Sequence, residues 1–145
     1  MVKNLQVFSE DNSINLRRVH SLISKLKSEF DLNILFLSVS FICSDKLKKI
    51  NKKHLKHNYN TDIITFDYSD TEKEIDGEIL ISFQQAKINA KKYKVSYSDE
   101  LNRLVIHGVL HLLDYDDNNK KNKTIMKQME NKLINRYNFT LLAGR

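Results

Sequence analysis

Apolar residues recur along this chain with two different periods, and each stretch of constant period predicts an element. Asn4 to Phe8 reads as a short strand, followed by a polar turn through Glu10, Asp11, Asn12 and Ser13. Leu16, Val19, Ile23, Leu26 and Phe30 recur at steps of three and four, the mark of an amphipathic helix. From Ile34 to Cys43 the pattern becomes that of the strongest strand, with Leu35, Leu37, Val39 and Phe41 alternating with Ser38 and Ser40. Ser44 is placed to cap a second helix carrying Leu47, Ile50 and Leu55. Thr61 to Tyr68 and Ile75 to Ile81 read as strands. The acidic turn between them, Asp67 to Asp76, is short enough to favour an antiparallel pair.

Ser82 with Gln85 forms a capping-box pattern for a third helix, whose buried side should carry Phe83, Ala86, Ala90 and Tyr93. Ser98, with Asp99 and Glu100 in the first turn, starts a fourth. Asp114 ends it, because Asp tolerates the left-handed conformation. A last helix from about Asn119 to Tyr137 presents Met126, Met129 and Leu133. These elements predict an α+β fold: a single small domain over residues 1–145, with a mixed sheet of about four strands flanked by about five helices. The fourth helix should pack on one face of the sheet.

That fourth helix carries the chemistry. From Leu101 to Leu113 it is apolar nearly all round, which predicts deep burial, yet it contains His107 and His111. Residues four apart lie about 40° apart around a helix axis and one turn apart along it, so the two imidazoles can share a metal ion. Six residues beyond His111, in a polar run past the helix end, comes a carboxylate, Asp117. Two imidazoles and one carboxylate leave a position of tetrahedral zinc open to water, the arrangement of a catalytic site. Gly108 between the histidines allows a close approach of backbone or ligand. The same histidine spacing serves metallopeptidases, but those need Glu directly after the first His as general base, and that position is Gly108.

Bulk properties narrow the setting. The chain has 145 residues, 29% charged and 41% hydrophobic, ordinary for a globular domain. No apolar run approaches the ~20 residues of a membrane span. The single Cys43 forms no internal disulfide, no disulfide-linked partner is expected, and a reducing cytoplasm fits. The net charge of +6 suits a polyanionic partner. Yet the chain has no Pro, only three Gly and abundant Lys, Asn and Ile, a bias that adds lysine without selection for nucleic acid. The charge is permissive rather than diagnostic.

The chain resembles the YbeY family of bacterial metal-dependent endoribonucleases, which act in ribosomal RNA maturation. The resemblance covers nearly the whole domain. It is carried by Thr61-Asp62-Ile63-Ile64-Thr65-Phe66, by Gly77-Glu78-Ile79-Leu80-Ile81-Ser82, and by the segment His107 to Asp117. The usual family motif, His-Gly-x-Leu-His-Leu-x-Gly-Tyr-Asp-His, is matched at His107, Gly108, Leu110, His111, Leu112, Tyr115 and Asp116. The resemblance implies His107 and His111 as catalytic zinc ligands and puts the third ligand at Asp117, where the family more often has His. A carboxylate there makes the site harder and more tolerant of manganese or magnesium. Position 114 is Asp where Gly is usual. The family's Arg before the Thr-Asp strand aligns with Leu55 and is not carried over, so Lys53, Lys56 or His57 would have to supply the charge for RNA.

The expected function is a zinc-dependent, single-strand-specific endoribonuclease acting on the 16S ribosomal RNA of the small ribosomal subunit. The metal would polarise a phosphoryl oxygen or acidify water. Asp116 is placed to orient a ligand from outside the coordination sphere. His20, His54 and His57 have no spacing that recruits them. Two other classes fit the same residues: a metal-dependent hydrolase of another substrate class, and an RNA-binding ribosome-assembly protein with a structural metal.

Overall fold

The strongest alternation in the sequence becomes the centre of the sheet. A computed structural model describes residues 1–55, 61–71, 74–115 and 118–143. In it, β1 (Leu5–Ser9) and β4 (Glu74–Ser82) flank β2 (Asn33–Ile42), both parallel to it. β3 (Ile63–Asp67) pairs antiparallel with β4 at the edge, giving the order β1-β2-β4-β3. The register lines up Val7, Val39, Ile79 and Thr65 in one row across the sheet.

Successive strand residues point to opposite faces, and the two faces are covered differently. Leu37, Val39, Phe41, Ile75, Ile79 and Ile81 join the main core with α1 (Leu16–Phe30), α4 (Tyr97–Leu112) and α5 (Lys120–Arg136). Ile42 and Ile64 instead pack with Leu47 of α2 (Ser44–Leu55) in a smaller cluster bordered by Phe66 and Leu80. α2 and α4 therefore lie on opposite faces of the sheet. α3 (Phe83–Tyr93) packs against α4. No described helix is long and apolar enough to cross a membrane.

Helix boundaries differ from expectation where hydroxyls are claimed by distant partners. α4 is capped by Ser96, whose hydroxyl accepts from the Asp99 N–H, and not by Ser98. Ser98 is buried in the first turn, and its hydroxyl accepts from the Leu141 N–H at 2.9 Å. Ser44 lies inside α2, with its hydroxyl 2.7 Å from that of Ser82. Ser82 does cap α3, but the reciprocal arm of the box is absent: the Ser82 N–H donates to the Asp62 carbonyl, and the Gln85 amide donates to Asn89. Tyr93, expected on the buried side of α3, is exposed, and Asn89 is buried in that helix. Asp114 follows α4 with φ 68°, the left-handed conformation expected of it.

Candidate metal centre

α4 buries almost its entire circumference. Its half-open stripe is Arg103, His107 and His111, each one turn beyond the last. The His107 and His111 ring centroids lie 5.2 Å apart with 64° between their planes. Two imidazoles bound to one tetrahedral zinc through nitrogens at about 2.0–2.1 Å have centroids about 5 Å apart. The pair is thus spaced for a shared ion, on a helix locked into the core.

Behind His107 stands a residue from another helix. His107 Nδ1 lies 2.5 Å from Glu130 Oε2 on α5, and the Glu130 side chain is 7% exposed. Glu130 Oε1 is 3.5 Å from Arg103 Nη1. Arg103 also grips Glu100 with two hydrogen bonds, Nε to Oε1 at 3.0 Å and Nη2 to Oε2 at 2.6 Å. From Glu100 the network continues to Asn89, whose amide nitrogen donates to both Glu100 and Asp62. Burial opposes the Arg103 charge, but the hydrogen bond to Glu100 and the attraction of Glu100, Glu130 and Asp62 prevail and raise its pKa above the ordinary value. A chain of polar contacts therefore runs from the start of β3 to the imidazole of His107.

Two cavities meet at this network. One of about 150 Å³ is lined by Arg103, His107, Lys123, Met126, Lys127 and Glu130. The other, about 460 Å³, shares Arg103, Lys127 and Glu130 with it and adds Tyr93, Asn131 and Asn135.

The structure brings His107 and His111 together. Asp116, Asp117, Lys56 and His57 lie outside the described residues, as does the side chain of Leu55. Among the described residues no group of three metal-binding side chains assembles. Lys53 is exposed in the last turn of α2, the helix on the far face of the sheet. His20 is buried, and its Nδ1 accepts from the Val2 N–H, while His54 packs edge-on to Phe66.

Sequence reasoning missed Glu130, Arg103, Lys123 and Lys127. The signal for them was faint but present. Arg103 precedes His107 by one turn, and Lys123, Lys127 and Glu130 share one face of a helix at steps of four and three.

The sequence model of the family described as Endoribonuclease YbeY matches residues 4–138. Among similar proteins is an Endoribonuclease YbeY of Bacteroides thetaiotaomicron, 32% identical over 121 residues, or 83% of this chain and 88% of that protein. One from Cytophaga hutchinsonii is 36% identical over 126 residues, covering 85% of this chain and 88% of that one. One from Karelsulcia muelleri reaches 45% over 101 residues, 69% of this chain and 67% of its own. The solution structure of TM1509 from Thermotoga maritima superposes with a TM-score of 0.63 at 22% identity, covering 92% of this chain and 91% of that one, which shows a shared fold. The chain belongs to the Endoribonuclease YbeY family.

Proposed function

We propose that this chain is a metal-dependent endoribonuclease that matures ribosomal RNA of the small subunit in the cytoplasm, with His107, His111 and Asp117 holding one zinc-class ion. The observation that carries the reading is the histidine pair: two imidazoles at the separation of a shared ion, on the half-open stripe of a buried helix, in a chain of this family. Two nitrogens and a carboxylate suit zinc, and the carboxylate admits harder ions such as manganese or magnesium. When bound, such an ion supplies Lewis acidity toward a phosphoryl oxygen and lowers the pKa of water.

The chain's own residues supply position and charge. α4 holds both imidazoles on a rigid element, which keeps them placed without cost at the moment of reaction. Lys123 and Lys127 are exposed at the rim of the cavity beside His107, where they neutralise backbone phosphates. Arg103 is committed to Glu100 and Glu130, so it shapes the cavity wall. In the larger groove the Tyr93 ring can stack against an unpaired base, and the amides of Asn131 and Asn135 can meet base edges.

Metal analysis coupled to an RNA-cleavage assay tests the reading. Purified protein should carry about one zinc-class ion per chain and cut a ribosomal RNA fragment. His107→Ala/His111→Ala should lose both. Unchanged metal content in the double variant would reject the site, and cleavage of peptides but not RNA would favour a different hydrolase.

A further inference from the structure

We propose that Glu130 is a positioning residue for the metal centre: it holds His107 as the Nδ1–H tautomer, so that Nε2 is the nitrogen turned to the ion. The assignment rests on the metal reading above. A neutral imidazole has one N–H and one lone pair, and its hydrogen-bond partner decides which nitrogen carries which. An ionised carboxylate only accepts. With Oε2 of Glu130 2.5 Å from Nδ1, the proton belongs on Nδ1 and the lone pair on Nε2.

The carboxylate is fixed well enough to impose this choice. Glu130 is one turn beyond Met126 and three residues before Leu133, both buried in the main core, so α5 cannot slide past α4 without opening it. Its second oxygen faces Arg103, which is itself clamped by both oxygens of Glu100. The carboxyl plane therefore has little freedom to rotate away from His107.

Charge points the same way. Glu100 and Glu130 as carboxylates against one Arg103 guanidinium leave the triad with a single negative charge, pressed against the far side of the His107 ring. A carboxylate on the distal nitrogen makes an imidazole a more basic ligand and fixes its plane. The rival role, a simple tie between α4 and α5, would need neither this nitrogen nor this charge.

The two roles separate in experiment. Zinc affinity of the full chain is measured by competition with a chromogenic chelator, and the His107 tautomer of the metal-free protein by long-range proton–nitrogen NMR. Glu130→Ala should weaken zinc binding about 10- to 100-fold and let the Nε2–H form appear. Glu130→Gln keeps the shape and one acceptor oxygen, so it should retain the Nδ1–H form and bind zinc with an affinity between the other two. If Glu130→Ala fails to fold, Glu130→Gln decides: affinity equal to wild type overturns the assignment. A folded Glu130→Ala with wild-type affinity and an unchanged tautomer also overturns it, leaving Glu130 a structural tie. A wild type that binds no zinc at all instead sinks the metal reading itself, a distinct result.

Discussion

Of the three glycines in the chain, the two within the described residues stand at one joint, where α4 meets the sheet. A Cβ on Gly108 would lie 2.9 Å from Ile79 Cγ2 and 3.2 Å from Ile63 Cδ1. Gly108 thus faces strand side chains and not a ligand, and the close approach it permits is that of the helix to β3 and β4. A Cβ on Gly77 would lie 2.5 Å from the Phe66 carbonyl oxygen and 3.0 Å from Leu112 Cδ2. The obstacles differ in kind. Ile79 can shift slightly, whereas the Phe66 oxygen belongs to the backbone of the paired strand. Gly108→Ala gains about 1 kcal/mol of helix propensity but overpacks a filled interface at about 1–3 kcal/mol, so a modest net loss is expected. Gly77→Ala should cost more, about 3 kcal/mol or above. Urea unfolding of the two variants checks the order; a Gly77→Ala no weaker than Gly108→Ala would contradict the packing geometry.

At the level of elements, local acts hold the frame, and one of them responds to pH. Asp11, in the turn between β1 and α1, accepts from the Tyr97 hydroxyl at 2.6 Å and from the N–H and hydroxyl of Ser13, with Lys87 Nζ 3.9 Å away. This ties the first residue of α4 to the far end of the sheet. Burial pushes the Asp11 carboxyl up, but the hydrogen bonds from Tyr97 and Ser13 outweigh it, and its pKa falls below the ordinary 3.8. A depressed folded-state pKa gives stability that is present above the unfolded value and lost as pH falls through the folded one. Asp11→Asn should therefore lower the melting temperature near neutral pH. Its gap from wild type should close on acidification from about pH 6 to below about pH 3. A gap that stays constant over that range would mean the Asp11 charge contributes nothing. Sequence pattern revealed α1 and β2 because each buries a repeating face, and α4 because it is apolar nearly all round. It could not assign Ser96 over Ser98 as the α4 cap, since that choice depends on Leu141 returning to claim the Ser98 hydroxyl. The site divided the same way: His107 and His111 are legible as an i, i+4 pair, while Glu130 reaches His107 only through the packing of α5 on α4.

For the whole molecule, the net charge of +6 matters less than where the lysines stand. Two helices are densely basic. α2 exposes Lys46, Lys48, Lys49, Lys52 and Lys53, and α5 exposes Lys120, Lys121, Lys123, Lys127 and Lys132. They serve opposite sides of the sheet, and only α5 shares a side with His107. Lys46 is further committed to an ion pair with Glu10. If RNA is cut at the α4 histidines as proposed, the Lys123–Lys127 rim is the basic surface beside it, whereas contact with Lys53 would require the strand to turn round the sheet edge. Each phosphate contact on single-stranded RNA adds about 0.7 to the steepness with which log affinity falls against log salt. Lys123→Gln/Lys127→Gln should flatten that slope by about 1.4 with the metal content unchanged, while Lys53→Gln should leave it where it was. A flattened slope in Lys53→Gln together with an unaltered one in the α5 pair would route the RNA along α2, and the phosphate track drawn from the cavity beside His107 would be wrong.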